Sequence, residues 1–295
     1  MLDAGAFSSG LLTGLREGVE AALIVSIILA YLARTGNIRH ASKIWTGVVV
    51  AILLSFGLGI AIFATVGALE EPYEQLFEGV TLLVAAGVVT WMLFWMRRQS
   101  AGVSSELRAA VDRVLSEGGA WGLAVLAFTA VIREGLETAL FLVAQVTAAS
   151  QGVEDGAASV LVGAVVGLLI AVAIGYGIYR GSRRINLQAF FRWTGIALIF
   201  IAAGLLSQAI HEFIEIGLIP FGAQPAFDLS GLLPHKDGIG QFLRALVGYS
   251  STPEVTTLAG HVTYLVVVLA LYLRPIEPRP TGRPEPAERA EPVRS

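Results

Sequence analysis

The sequence lacks cysteine and has few charged residues, and each of these features excludes a class of protein. Without cysteine the chain can form no disulfide, no thiolate metal site and no cysteine nucleophile. Only 15% of the 295 residues are charged, whereas a soluble domain has about 25%. Too few polar side chains remain to cover a soluble globule, which argues against a soluble enzyme and against a disordered protein.

Basic residues are also scarce, which excludes nucleic acid as a partner. The 20 lysines and arginines face 23 acidic residues, giving a net charge of -3. A nucleic-acid-binding surface needs the opposite balance. Apolar residues dominate instead, since 55% of the chain is hydrophobic and the mean hydropathy is +0.71.

Seven segments are long and apolar enough to cross a bilayer, which takes about 20 residues. They are residues 7–33, 44–69, 76–96, 118–152, 156–179, 193–211 and 255–273. Residues 1–10 lack the basic start of a signal peptide, so the first predicted helix is expected to stay in the mature protein. The sequence therefore predicts an all-α integral membrane protein whose surroundings are the lipid bilayer.

Charged loops predict the orientation of these spans. Sixteen lysines and arginines follow the first, third, fifth and seventh spans, and only Lys236 and Arg244 lie on the other side. The positive-inside rule then places the N-terminus outside and the C-terminus inside a cytoplasmic (inner) membrane. Residues 275–295 mix charges with six prolines, a composition that predicts a disordered cytoplasmic tail.

A charged pentapeptide occurs twice in the chain. Residues 16–20, Arg-Glu-Gly-Val-Glu, recur 117 residues later as Arg-Glu-Gly-Leu-Glu at 133–137. The same offset carries the second and third spans onto the fifth and sixth. Three spans is an odd number, so the second unit enters the membrane from the opposite side. This predicts an inverted repeat, an architecture in which transporters place their sites near the midplane.

Residues 1–274 are accordingly predicted to form one membrane permease domain. Repeat one covers residues 7–97, repeat two covers residues 118–213, and the seventh helix at 255–273 is an addition to the repeats.

The repeated motif gathers charge on one side of a helix. At the helical pitch, the three charged residues fall within about 100° of arc, and the glycine points away, where it permits close helix contact. Charges in a bilayer cost about 2.5–3.5 kcal/mol each, so they must face the protein interior or water. Arginine can pair with the second glutamate at i, i+4. Two motifs meeting at the centre would combine the carboxylates of Glu17, Glu20, Glu134 and Glu137 with the guanidiniums of Arg16 and Arg133.

This set of charges has an excess of acid, formally −2, and offers oxygen ligands that suit a hard cation. The other interpretation is a buried ion-pair lock between two helices. A lock needs only balanced charge, so the excess of glutamate favours a cation site.

Two further polar groups lie at the predicted outer ends of the third and sixth spans. One comprises Glu71, Glu74 and Glu78, and the other comprises His211, Glu212 and Glu215. They could form an outer mouth that concentrates cations, or they could be an ordinary solvated rim. The second group lacks the second histidine of a zinc-protease motif, so that function is rejected.

The paired motif resembles the signature of the oxidase-dependent iron transporters, which include the fungal high-affinity iron permease and bacterial relatives of the EfeU type. The resemblance covers residues 7–273, and only Val19 departs from the REGLE pattern. It implies an iron permease that is not an enzyme, with iron as transported substrate and no permanently bound cofactor. The implied permeation residues are Arg16, Glu17, Glu20, Arg133, Glu134 and Glu137.

The resemblance also implies separate partner proteins. These are a redox partner, either a haem peroxidase or a ferroxidase, and a periplasmic iron-binding protein. The residues themselves leave three alternatives to an iron permease: a carrier of another cation, an intramembrane enzyme, and a scaffold subunit without transport, which the excess of buried acid disfavours. A transporter of another divalent cation or a proton-coupled carrier could use the same carboxylates, and the permeating iron could be Fe(II) or Fe(III). An intramembrane enzyme is disfavoured because no Ser–His or paired-Asp arrangement lies within a span.

Overall fold

The computed structural model describes residues 3–66, 73–99, 103–116, 120–150, 155–181, 186–235 and 238–274. These residues form nine α-helices: α1 (Ala4–Arg34), α2 (Ala41–Val66), α3 (Tyr73–Gln99), α4 (Val103–Ser116), α5 (Ala120–Ser150), α6 (Gly156–Tyr179), α7 (Leu187–Glu215), α8 (Gly238–Val247) and α9 (Val255–Leu273). Within them the only β pairing is an isolated bridge between Pro225 and Glu254. The prediction of an all-helical protein is confirmed.

Over its described residues, each predicted span falls on one long helix, namely α1, α2, α3, α5, α6, α7 or α9. By length and composition, five of these are apolar enough to cross a membrane: α2, α3, α6, α7 and α9. The other two, α1 and α5, are the longest helices among the described residues at 31 residues each, and they carry the motif charges in their central turns. The chain is therefore a multi-pass membrane protein.

Glycine contacts give the relative directions of the helices. A Cβ added at Gly10 or Gly14 would overlap the α6 backbone at Val160 or Ala164, so α1 and α6 run parallel. Helices α2 and α5 also run parallel. Gly47 lies against Ala124, and twelve residues further along α2, Gly59 lies against Ala139.

A third pair, α3 and α7, runs antiparallel. Gly79 near the start of α3 contacts Phe213 at the end of α7, and Gly195 near the start of α7 approaches Leu93. The three pairs follow a pattern. If α5, α6 and α7 are counterparts of α1, α2 and α3, the α1–α6 and α2–α5 pairs are equivalent, and α3 packs on its own counterpart.

Small residues at every fourth position make the α1–α6 contact. On α6, Gly163 and Gly167 approach the backbone carbonyls of Phe7 and Leu11, and Gly18 of α1 packs on Ala171. Such spacing lets helix backbones approach closely in a membrane. Because Gly18 lies on the face opposite Arg16, this packing turns the motif charges away from α6 and into the protein.

One helix was not predicted from the sequence. Residues 103–116 were assigned to an inner loop, whereas they form α4. Leu107, Val111 and Val114 recur at helical spacing, and Val111 is fully buried in a cluster with α1 and α5 residues. Asp112 accepts a hydrogen bond of 2.6 Å from the Tyr31 hydroxyl. Residues 103–116 therefore form an amphipathic helix instead of a loop, and this helix packs against the end of α1 and the start of α5. Between α7 and α9, the short helix α8 covers Gly238–Val247.

Candidate metal site between two buried motifs

The two motifs lie at the centres of their helices. Val19 is the middle residue of α1 (Ala4–Arg34), and Gly135 is the middle residue of α5 (Ala120–Ser150). The glycine of each motif packs on the helix that follows the helix of the other motif. Gly18 contacts Ala171 of α6, and Gly135 contacts Ser55 of α2. This packing leaves the charged arcs of α1 and α5 facing each other.

The α1 motif is completely buried. Arg16 is 1% exposed, and its Nη1 donates to Glu17 Oε1 at 2.5 Å. Its Nη2 lies 3.4 Å from Glu20 Oε1, an ion pair whose geometry does not make a hydrogen bond. Two thioether sulfurs of α3 accept further hydrogen bonds, Met92 Sδ at 3.2 Å from Nη1 and Met96 Sδ at 2.7 Å from Nη2, and Nε has no partner among the described residues. Because thioethers are weak acceptors, the guanidinium is held chiefly by the glutamates.

The α5 motif has the same internal pairing with a different contact to α3. Arg133 Nη2 lies 2.8 Å from Glu134 Oε1, and Arg133 Nε lies 3.6 Å from Glu137 Oε1. The Arg133 guanidinium stacks 4.2 Å from the centre of the Trp95 ring, a cation–π contact. Arg133 is 40% exposed along its side chain, so this motif is the more accessible of the two.

The two motifs meet in a group of three carboxylates. Glu17, Glu134 and Glu137 each offer one oxygen, and these oxygens all lie within 4.8 Å of one another. One oxygen of each, Oε2, is buried without a hydrogen-bond partner among the described residues. Glu20 is buried beside this group and interacts electrostatically with all three. A bound cation would supply the compensating charge that buried carboxylate oxygens of this kind lack.

An acidic cavity of about 810 Å³ lies at the end of the molecule where α1 begins and α5 ends. We call it the vestibule. Six acidic residues and a single arginine, Arg244, line it. The acidic residues are Asp3, Glu74, Glu78, Glu212, Glu215 and Glu254. A concave surface with this charge raises the local concentration of cations.

The vestibule brings together most of the predicted outer mouth. Glu74, Glu78, His211, Glu212 and Glu215 all line it, although they come from two helices distant in sequence. Glu71 lies outside the described residues, so its place in the outer mouth stays a prediction.

Glu254 was not among the predicted site residues, and it connects two helices at this end of the molecule. It pairs with His211 at 2.6 Å and accepts a hydrogen bond of 2.7 Å from Thr257. Partial burial raises the pKa of Glu254, but the hydrogen bonds and the nearby His211 outweigh it and hold the pKa below its usual value. The ionised carboxylate therefore ties the end of α7 to the start of α9.

A second cavity of about 950 Å³ runs along the groove between α2 and α6. Its lining is almost entirely apolar, and Glu17 and Glu134 are the charged residues that reach it. An ion would have to shed its water along most of that groove, so the vestibule is the route that suits a cation.

The sequence missed several residues that support the motifs. Met92, Met96 and Trp95 lie on a helix that is apolar over most of its length, and nothing in that pattern distinguishes a side chain facing arginine from one facing lipid. Thr13 and Gln145 do have a signal, because they lie on the charged arcs of their helices. Gln145 Nε2 donates to Thr13 Oγ1 at 2.7 Å.

Long apolar helices with a buried carboxylate cluster at their centres and an acidic vestibule at one end are typical of a membrane transport protein. The chain matches the iron permease FTR1 family over residues 8–276. It belongs to that family and is a permease, not an enzyme.

Several curated relatives are named ferrous iron permease EfeU. The protein from Escherichia coli O6:H1 is 40% identical over 263 residues, covering 88% of this chain and 93% of the relative. The protein from Yersinia pestis is 41% identical over 269 residues, covering 90% and 93%. The protein from Shigella sonnei is 40% identical over 263 residues, covering 88% and 93%. No solved structure gives a significant match.

Proposed function

We propose that this chain carries iron inward across the cytoplasmic membrane through the carboxylates of its two motifs. The observation that carries the proposal is the meeting of Glu17, Glu134 and Glu137 oxygens within 4.8 Å, contributed by two helices at their midpoints. Membership of an iron permease family supports iron as the substrate. Iron enters the vestibule, exchanges water for carboxylate oxygens at the motifs, and leaves on the inner side.

The arginines hold the site in its binding geometry. Arg16 and Arg133 each contact both glutamates of their own motif, so they orient the carboxylates and offset part of their mutual repulsion. Four carboxylates against two guanidiniums leave a formal −2, which matches a divalent ion. The relatives are named for ferrous iron, so Fe(II) is the first ion to test. Two charges moving inward through about 100 mV release about 4.6 kcal/mol, which is enough to drive accumulation.

We also propose seven spans arranged as an inverted repeat with one added helix. The equivalence of the α1–α6 and α2–α5 pairs supports the repeat, and the alternating directions of the long helices support seven crossings. From the family resemblance, a separate haem peroxidase or ferroxidase and a periplasmic iron-binding protein would deliver iron to the vestibule.

Uptake of radiolabelled iron by proteoliposomes tests the function. Vesicles containing the purified protein, with a negative-inside membrane potential, are expected to accumulate Fe(II) under anaerobic conditions, and vesicles without protein are not. A parallel set receives Fe(III) chelate. Excess Mn(II) or Zn(II) in the same assay distinguishes an iron permease from a general divalent-cation carrier. Transport of manganese in preference to iron, or uptake that follows a proton gradient alone, would favour those alternatives.

The orientation gives a separate prediction. A reporter protein fused after Leu273 is expected to be active in the cytoplasm, because sixteen of the basic loop residues lie on that side. A second reporter, of a kind that is active only in the periplasm, should be active when it is fused in the proposed outer loop after Ser230. An outer location of the Leu273 fusion would refute the proposed topology.

The vestibule predicts a graded loss of apparent affinity. Glu74→Gln should raise the KM for iron and spare the maximal rate, more at low ionic strength because salt screens the field. Glu78 lies about one turn deeper on α3, so Glu78→Gln should be more severe and also lower the maximal rate. Glu71→Gln is expected to behave like Glu74→Gln. The measurement is initial uptake against iron concentration at two ionic strengths. Kinetics equal to wild type for all three variants would leave this stripe as an ordinary solvated helix end.

A further inference from the structure

Between the vestibule and the carboxylates lies a pair of neutral polar residues, Thr13 on α1 and Gln145 on α5. Both are buried, Thr13 at 0% and Gln145 at 5% exposure. Their side chains are joined by the 2.7 Å hydrogen bond from Gln145 Nε2 to Thr13 Oγ1. Gln145 also lines the inner end of the vestibule. The pair therefore forms the boundary between the acidic cavity and the protein centre.

The order of residues along the two helices places this pair on the path to the motif glutamates. Thr13 precedes Glu17 by about one turn of α1, and Gln145 follows Glu137 by about two turns of α5. Because α1 and α5 run in opposite directions, both residues lie on the vestibule side of the glutamates. Side chains on a helix lean toward its N-terminus, so Gln145 leans toward the glutamates.

The amide oxygen of Gln145 has a property that the hydrogen bond does not explain. Gln145 Oε1 is buried and accepts no hydrogen bond among the described residues, although a buried carbonyl oxygen normally has a partner. An amide oxygen and a hydroxyl oxygen are both hard ligands that bind divalent cations in proteins. The oxygens of this pair can therefore take the place of water molecules around an ion.

We propose that Gln145 Oε1 and Thr13 Oγ1 form a neutral oxygen site where the entering cation exchanges part of its hydration shell before it reaches the glutamates. The site rests on the proposed function. Conduction requires each binding step to be strong enough for entry and weak enough for release. A neutral site between an acidic vestibule and an acidic centre meets this requirement, because it binds the ion transiently and passes it on.

Two variants of Gln145 with side chains of similar size test this site, one with an added negative charge and one without polar atoms. Gln145→Glu should lower the KM for Fe(II) by about tenfold and also lower the maximal rate, because the ion is bound more tightly and released more slowly. Gln145→Leu removes both polar atoms, so it should raise the KM and reduce kcat/KM by about tenfold, the size of effect found for groups beside metal ligands.

Thr13 supplies a matched pair of smaller changes. Thr13→Val keeps the shape and removes the hydroxyl oxygen, so kcat/KM should fall severalfold. Thr13→Ser keeps the hydroxyl and should match wild type. All four variants are assayed for Fe(II) uptake in proteoliposomes, with thermal unfolding and yield of folded protein measured alongside.

Opposite KM shifts for Gln145→Glu and Gln145→Leu support the site. If the hydrogen bond were purely structural, an added negative charge would not increase the affinity for the cation. If both variants and Thr13→Val transport like wild type, or lose uptake only in proportion to the loss of folded protein, the pair is a structural tie between α1 and α5. If wild-type vesicles take up no iron at all, the proposed function fails together with this site. Normal wild-type uptake with unaffected variants would overturn this site alone.

Discussion

Replacing Glu20 or Glu137 by glutamine is expected to abolish iron uptake while leaving the protein folded in the membrane. Each change keeps the size of the side chain and removes one negative charge from a buried group that has an excess of acid. Glu137 contributes an oxygen to the three-carboxylate cluster, and Glu20 adds its charge beside it. Loss of uptake should exceed about 100-fold, since even groups outside the first ligand shell cost 10–100-fold.

The same experiment distinguishes a cation site from an ion-pair lock. Glu17→Gln and Glu134→Gln, the other members of the cluster, should behave like Glu137→Gln. Glu215→Gln makes the same chemical change in the vestibule and should keep the maximal rate. If the buried-site variants accumulate normally and transport at the wild-type rate, the site is misplaced. If they fail to accumulate, a structural ion-pair lock becomes the better explanation.

Replacing Gly14 by leucine is expected to prevent stable folding. A Cβ at this position would overlap the backbone of α6 at Ala164, and backbone atoms cannot move aside as a side chain does. The cost should exceed about 3 kcal/mol, the upper range for overpacking a side-chain core. Gly57 of α2 provides the matched control, because a Cβ there meets nothing within 4 Å. Gly57→Leu should therefore be nearly neutral.

These two variants are compared by thermal unfolding and by the fraction of monodisperse protein recovered in mild detergent. A folded, active Gly14→Leu protein would mean that α1 and α6 are further apart than their small-residue contact indicates. Equal destabilisation by Gly57→Leu would mean that the loss reflects leucine itself and not the helix contact.

The sequence predicted the long apolar helices and the meeting of the motifs because both follow from what a bilayer requires of a chain. A bilayer fixes the length of an apolar helix, and a buried charge must face another helix or water. The position of Gly18 opposite Arg16 also predicted that the glycine would make a helix contact, and it packs on Ala171.

Which helices pack against each other could not be predicted from the sequence. In a membrane both the lipid-facing and the interior surfaces are apolar, so hydrophobic periodicity does not say that α1 packs on α6 or that α3 supplies Met92 and Met96 to Arg16. Trp95 lies near the end of the third predicted span, where a tryptophan is usually a membrane-interface residue, whereas it stacks on Arg133. The helix at residues 103–116 was missed because its arginines were counted only for orientation.

Other predictions stay as they were made. Glu71 and the proposed tail at 275–295 lie outside the described residues. The uptake experiments test the roles of the glutamates, the reporter fusions test the orientation, and the partner proteins stay a prediction from the family resemblance.

X-ray absorption at the iron edge of the purified, Fe(II)-loaded protein tests the central claim most directly. The carboxylate site predicts a first shell of oxygen atoms alone, and the Glu134→Gln/Glu137→Gln double variant should lose that bound iron. Sulfur in the first shell would place iron at the thioethers of Met92 and Met96 instead. An unchanged spectrum in the double variant would show that iron binds elsewhere, and either result would contradict the carboxylate site.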